Sequence, residues 1–191
     1  MVEMWLIRHG QTDWNLARKY QGQADIPLNQ TGIEQAKKLA QTLEAGYFDI
    51  VYSSDLIRAQ KTAQIIADRL GLEVIIDRRL REIHQGVWEG LSLDEVKEKY
   101  AEDFERGARE PETTRAPGGE SVAEVAARMA LAANEIREIN PERKILVVSH
   151  GLAVSTLYCQ ANDISLNKVY EYIPDNAVPL IIHWNGRQDV D

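Results

Sequence analysis

Two hydrophobic periods alternate along this chain. Short apolar runs at residues 4–7, 49–52 and 144–148 are each followed by a helical pattern, and runs of that length fit strands buried on both faces. The helical spacing places Ile33, Ala36, Leu39, Ala40 and Leu43 on one face, and Leu56, Ala59, Ala63, Ile66, Ala67 and Leu70 on another. A longer helix over residues 121–139 aligns Val122, Val125, Met129, Ala133 and Ile136 and stops before Pro141; its alanines suit close packing on a sheet. Further strands are expected at residues 73–76 and 178–183, and a further helix over residues 151–158. Residues 89–119 break the pattern: they are charged, interrupted by Pro111, Pro117 and paired glycines, and their helical stretches are too short for a second core. They read as a lid-like insertion over the sheet. No repeat and no Pro/Ser-rich linker divides the chain, so residues 1–191 are expected to form one α/β domain.

Composition narrows the function classes. A net charge of −8 disfavours nucleic acid, whose backbone is bound by clustered Lys and Arg. It leaves room for a few arginines gathered around a small anion, because the local field acts on the ligand. No apolar run has the length of a membrane span, and the start MVEMWLIRHG has no basic region ahead of a long apolar stretch, so the default compartment is cytoplasmic. The single Cys159 has no disulfide partner and lacks the companions of a zinc site; Ser165 stands where a cysteine-based phosphatase needs arginine. Motifs for P-loop ATPases, zinc proteases and serine hydrolases are absent as well.

In open α/β sheets ligands bind beyond the carboxyl ends of the strands. Here the first strand ends in Arg8, His9 and Gly10, the second in Ser53, Ser54 and Asp55 leading to Arg58, and the third in Ser149, His150 and Gly151. Two arginines and two histidines thus converge, a set whose forked and ring N–H donors match a phosphate dianion. If Ser54 or Asp55 caps the next helix, Arg58 lies in its first turn, where free backbone N–H groups also favour an anion. A neutral imidazole flanked by arginines is a competent nucleophile toward phosphorus without a metal. Taken singly, each residue has an ordinary structural explanation, and Glu82 from spacing alone reads as a surface carboxylate after Arg81. The alternative for Glu82 is a proton donor to the leaving oxygen.

Beyond these residues, RHGQTDWN at residues 8–15 resembles the signature of the histidine phosphatase superfamily, the phosphoglycerate mutase-like proteins. The resemblance continues through YQGQADIPLNQTG from Tyr20, YSSDLIRAQKTA from Tyr52, LREIHQGVWEG from Leu80, PGGES from Pro117 and VVSHG from Val147. It implies a three-layer α/β/α sandwich with a mostly parallel sheet. It also implies that His9 is phosphorylated while Arg8, Arg58 and His150 hold the phosphoryl group. Asn15, Gln21 and Gly22 would complete the cradle, the Gly151 and Leu152 amides would face the phosphate, and Glu82 would serve as acid and then base. No cofactor or metal is implied.

The segment LREIHQGVWEGLSLDEV resembles the phosphatase branch rather than the LNERHYG-like segment of mutases, so hydrolysis of small phosphomonoesters through a phosphohistidine is expected, with a phosphoglycerate mutase as the alternative. A catalytically silent phosphate-binding module is a third reading; retention of Arg8, His9, Arg58, Glu82 and His150 argues against it. Phosphoserine phosphatases of the family carry His before the loop glycine where this chain has Gln85, preceded by His84; both are expected to be exposed loop residues. Trp88 and the insertion are expected to shape the leaving-group pocket. His183 reads as a strand residue near an edge, and Asn176 either matches a family asparagine or is a turn residue. The expected partner is a small phosphorylated metabolite, with no nucleic acid and no membrane. The resemblance admits a homodimer, although no patch in the sequence marks one, and a chain end at Asp191 without a closing tail would broaden specificity.

Overall fold

The computed structural model describes residues 1–186. The expectation attached to the chain end at Asp191 lies outside the described residues. The elements follow the alternation in the sequence: β1 (Val2–Arg8), α1 (Asp13–Leu16), α2 (Gln30–Thr42), β2 (Ile50–Ser53), α3 (Ile57–Leu70), β3 (Val74–Ile76), α4 (Leu93–Lys99), α5 (Ala101–Arg109), α6 (Val122–Ile139), β4 (Lys144–Ser149), α7 (Gly151–Ala161) and β5 (Pro179–Trp184). Short 3-10 turns at Arg78–Leu80, Gly86–Trp88 and Leu166–Tyr172 complete the described connections.

The five strands lie in the order β3-β2-β4-β1-β5, all parallel except the edge strand β5. Successive side chains of a strand point to opposite faces, and β1 and β4 divide their apolar residues accordingly. Met4, Leu6, Ile145 and Val147 join Val125, Met129 and Leu157 of α6 and α7. Ile7, Leu146 and Val148 join Leu39, Ala63 and Ile66 of α2 and α3 on the other side. The result is the three-layer α/β/α sandwich expected, and the unbroken apolar runs of β1 and β4 are explained by cover on both faces.

The sheet register places the chemistry. Arg8 pairs with Ser149 across β1 and β4, so His9 and His150 leave neighbouring strand ends side by side. Ser53 of β2 lies opposite Val148, which brings Ser54 to the same edge. The long helix α6 begins where expected, at a capping box in which the Ser121 hydroxyl accepts from the Glu124 amide and the Glu124 carboxylate accepts from the Ser121 amide. Residues 89–119 do more than their short helical patterns suggest. Alongside α4 and α5, Trp88, Val96 and Ala116 form a small apolar cluster of their own, with Tyr20, Tyr100 and Phe104 packed against it. His183 lies on the edge strand β5 opposite Glu3, as expected. No helix among the described residues is long and apolar enough to cross a membrane.

The loop after β1 is locked to the start of α2 by two glycines in backbone contact. A Cβ on Gly10 would stand 2.3 Å from the Gly32 carbonyl oxygen, and one on Gly32 would stand 2.1 Å from that of Gln11. Neither oxygen belongs to a side chain that can swing away. The Gly32→Ala variant should therefore lose about 1–3 kcal/mol of stability in urea unfolding, as overpacking does elsewhere. An unchanged urea midpoint would show that the loop has slack.

Candidate active site

At the carboxyl edge of the sheet, His9 is 3% exposed, and His150 and Arg58 are fully buried. His9 Nδ1 lies 2.7 Å from the Gly10 carbonyl oxygen. A carbonyl only accepts, so this contact assigns the ring proton to Nδ1 and the lone pair to Nε2. Arg58 Nε–H donates to that lone pair at 3.2 Å. Burial, reinforced by the charges of Arg58 and Arg8 and partly opposed by the Gly10 carbonyl, holds the imidazole pKa well below its ordinary value. The neutral, nucleophilic form is the resting state.

His150 stands beside it, with ring centroids 5.2 Å apart. Its Nε2 lies 2.9 Å from Ser54 Oγ, which also accepts from the Leu56 amide, so the hydroxyl proton is available to donate to Nε2. That assignment leaves the proton on His150 Nδ1, a buried atom with no partner. Burial, then the charges of Arg58 and other nearby groups, also lowers the His150 pKa well below its usual value. Arg8 donates from Nη1 to the Pro174 carbonyl at 2.9 Å, while its Nε is likewise buried and unpaired. Two buried donors without acceptors beside a neutral nucleophile form a pocket suited to an anion.

Arg58 is fixed at three points: besides His9, Nη2 donates to the Gly22 carbonyl at 2.7 Å and Nη1 to the Ala24 carbonyl at 2.6 Å. Burial lowers its pKa to about 10, against the opposing influence of Glu82, Asp25 and Glu89, so it stays charged at neutral pH. Gly22 is required here. Its φ is +50°, and a Cβ would collide with the Glu89 carboxylate, whose Oε1 accepts from the Gln23 and Gln85 amides.

The expected helix cap is corrected. The N-cap of α3 is Leu56, without a side-chain cap, because the Asp55 carboxylate is engaged by Arg81 through two bonds of 2.6 Å. Asp25 supplies the acceptor instead, taking the Ile57 amide at 2.7 Å from the loop that also carries Gly22. Arg58 does sit in the first turn.

Glu82 is no idle surface carboxylate. Its oxygens accept from the amides of Ile83 (2.9 Å), Ala153 (3.2 Å) and Leu152 (3.2 Å), which sets the carboxylate at the N-terminus of α7. The Leu152 amide expected at the phosphate is thereby corrected to a Glu82 donor. Gly151 opens α7 against Arg8, with room for the guanidinium because it has no Cβ. Asn15 and Gln21 lie on α1 and the loop that follows it, both turned toward Thr12. Asn15 Oδ1 accepts from the Thr12 amide in the α1 capping box, and Gln21 Oε1 accepts from the Thr12 hydroxyl at 3.0 Å, so each presents its NH2 group as the remaining donor.

Two residues without a role in the sequence analysis, Arg128 and Glu120, hold the Glu82 segment, and Asn176 holds the His9 backbone. Arg128 of α6 donates to the carbonyls of Arg79 (2.8 Å), Arg81 (2.6 Å) and Glu82 (2.9 Å) and to both oxygens of Glu120. Glu120 in turn accepts from the His84 amide. Asn176 is more than a turn residue, since its Nδ2 donates to the His9 carbonyl at 2.8 Å. The sequence signals were the PGGES motif containing Glu120 and the match of Asn176 to a family asparagine; Arg128 had none. Among the described residues no group of three or more His, Cys, Asp or Glu side chains is arranged to hold a metal ion.

This geometry agrees with what the chain is similar to. The family model described as histidine phosphatase superfamily (branch 1) matches residues 4–190. Phosphoserine phosphatase 1 of Hydrogenobacter thermophilus is 40% identical over 190 residues, covering 100% of this chain and 90% of that one. A protein of Yersinia pestis named probable phosphoglycerate mutase GpmB is 41% identical over 157 residues, covering 82% of this chain and 73% of its own. Among solved structures, mycobacterial glucosyl-3-phosphoglycerate phosphatase in complex with VO3 superposes with a TM-score of 0.86 at 31% identity, covering 97% of this chain and 93% of that one.

Two outcomes follow from the site. Because the folded-state pKa values of His9 and His150 are lowered, their neutral forms persist as pH falls through 6.5. The stability they contribute is complete above about 6.5 and is lost only as pH falls further, toward their folded values. Histidine-resolved NMR should show both rings neutral from about pH 8 to about pH 6, whereas a midpoint at or above 6.5 would contradict the assignment. For Arg128→Ala, kcat should fall about tenfold or more with a smaller change in KM, and Arg128→Lys should restore little. A lowered thermal stability with kcat and KM unchanged, or full rescue by Arg128→Lys, would mark Arg128 as merely structural.

Proposed function

We propose a mechanism from the premise that this chain belongs to the histidine phosphatase superfamily, a phosphomonoester hydrolase in keeping with its phosphatase relatives. The reaction we infer is metal-independent hydrolysis of a small phosphomonoester through a phosphohistidine at His9. The observation that carries this reading is the 2.7 Å contact from His9 Nδ1 to the Gly10 carbonyl, which leaves the Nε2 lone pair facing the Arg58 guanidinium.

Substrate phosphate enters with its non-bridging oxygens toward Arg8 Nε, His150 Nδ1, the Arg58 guanidinium and the Asn15 amide. Arg58 Nε–H moves from the His9 lone pair to a phosphoryl oxygen, and Nε2 attacks phosphorus opposite the ester oxygen. As the P–O bond breaks, Glu82, having taken up the proton that a monoanionic substrate brings, passes it to the departing oxygen, and the amides of Leu152 and Ala153 steady the carboxylate that results. Glu82 then takes a proton from water as that water attacks phosphorus. The P–N bond breaks, its electron pair returns to Nε2, and phosphate leaves. Two displacements in sequence imply retention at phosphorus and ping-pong kinetics.

A second reading, phosphoryl transfer between sugar-acid hydroxyls, is favoured by the Yersinia pestis relative named as a probable mutase. Both readings use the same phosphohistidine and differ in whether water or a bound alcohol accepts. The cationic groups named here all serve the phosphoryl pocket or the Glu82 support, which favours water.

Hydrolysis of para-nitrophenyl phosphate in excess EDTA checks the proposal. Native turnover should persist, and His9→Ala should abolish it. Glu82→Gln should slow an alkyl phosphate about 100- to 10,000-fold, yet affect para-nitrophenyl phosphate far less, since that leaving group departs without a proton. Undiminished turnover in His9→Ala, or loss of native activity with EDTA, would refute this route. Faster phosphate transfer to a sugar acid than to water would select the mutase.

A further inference from the structure

The chain beyond β1 contains two consecutive peptide units that are each held at both polar ends. In the unit joining His9 to Gly10, the carbonyl accepts from Asn176 Nδ2 at 2.8 Å and the amide donates to the buried Thr62 hydroxyl at 3.0 Å. Thr62 gives its own proton to the Arg58 carbonyl at 2.8 Å, which ties this unit to α3. In the unit joining Gly10 to Gln11, the carbonyl accepts from His9 Nδ1 at 2.7 Å and the amide donates to Gln35 Oε1 at 2.8 Å. The nucleophile's own ring therefore holds one end of this second unit, and Gln35 holds the other.

A trans peptide is planar, with its C=O and N–H directed to opposite sides, so a group that fixes the N–H also aims the carbonyl. Gln35 reaches this amide because it lies one turn along α2 from Gly32, on the same face, and Gly32 brings that face into close contact with the Gln11 backbone. On the other side of the unit Gly10 has no Cβ and resists rotation little. A carbonyl turned away would leave the His9 Nδ1 proton without its acceptor. A unit rotated far enough to point its N–H at the ring would require Nδ1 to accept, which moves the proton to Nε2 and removes the lone pair there.

In the resting site Arg58 Nε–H supports the same tautomer from the far side of the ring. That support is withdrawn when Arg58 turns to a phosphoryl oxygen, the moment at which the lone pair is needed. Resting on the hydrolase reading above, we propose that Gln35 is a positioning residue for the nucleophile: through the peptide joining Gly10 to Gln11 it keeps the proton on His9 Nδ1 and the lone pair on Nε2 while substrate occupies the site.

The test compares Gln35→Met, which keeps the side-chain length and removes the acceptor, with Gln35→Glu, which keeps an acceptor at the same reach. In both variants Asn29 still holds Gln11, through its amide to the Gln11 carbonyl at 3.0 Å and its Nδ2 to Gln11 Oε1 at 3.1 Å, so the loop stays attached to α2. Nitrogen-15 NMR of histidine-labelled protein near pH 8 reads the tautomer of His9, whose signals are identified by their loss in His9→Ala. It is recorded without ligand and again in saturating inorganic phosphate. Gln35→Met should lose part of the Nδ1–H form, more so with phosphate bound, and its kcat/KM for para-nitrophenyl phosphate should fall about three- to tenfold. Inorganic phosphate should inhibit it within about twofold of the native constant, because the donors to the anion are untouched. Gln35→Glu should retain the native tautomer and most of the activity. The tautomer is read without turnover, so an inactive native chain would refute the hydrolase reading and leave the NMR result to decide this one. An unmoved His9 tautomer in Gln35→Met under both conditions, a loss in Gln35→Glu as large as in Gln35→Met, or phosphate affinity falling as far as kcat/KM would overturn the proposal.

Discussion

The structure of this site depends on a guanidinium buried without a directly paired carboxylate. Arg58 has no exposed surface, and its donors go to two backbone carbonyls and to the lone pair of His9. Removing such a charge from water costs several kcal/mol, which those acceptors and the fields of Glu82, Asp25 and Glu89 partly offset. The fold must therefore bring the loop at Gly22 and Ala24 over α3, and it fastens that loop with the Asp25 cap on Ile57. The same guanidinium lowers the pKa of both buried histidines and so helps keep both rings neutral.

Charge balance explains the surrounding residues as well. Glu82 is the carboxylate whose field both Arg8 and Arg58 feel most strongly. Its place is set from below by Arg128, which grips the backbone on either side of it, and from the front by the first amides of α7. His9, Arg8, Arg58, His150 and Glu82 thus come from three strand ends and one loop, while Arg128 and Asn176, which hold the backbone beside them, come from α6 and the segment after residue 172.

Most of the fold was legible because unbroken apolar runs and helical stripes are direct consequences of a sheet covered on both faces. His9, His150, Arg8 and Arg58 were legible for a related reason: a strand end followed by Gly or a helix start is where such a sheet exposes side chains to a ligand. Other features depended on distant partners. Asp55 had the chemistry of a helix cap, yet Arg81 recruits it, and the acceptor comes from Asp25. Arg128 acts on a carbonyl 46 positions away, a relation that no local pattern encodes. The small cluster around Trp88 escaped notice because its members are scattered through a charged segment and meet only after α4 and α5 fold back.

The central claim is that Nε2 of His9 is the atom that takes the phosphoryl group. Rapid quench of the enzyme with substrate, using protein labelled with nitrogen-15 at histidine, followed by phosphorus NMR of the alkali-stabilised phosphoenzyme, tests it directly. The account requires one phosphoryl group coupled to Nε2 of His9, with Nδ1 still carrying the proton that it gives to Gly10. Attachment at Nδ1 or at His150, or turnover with no phosphoenzyme under conditions that would trap it, would contradict the assignment of the nucleophile.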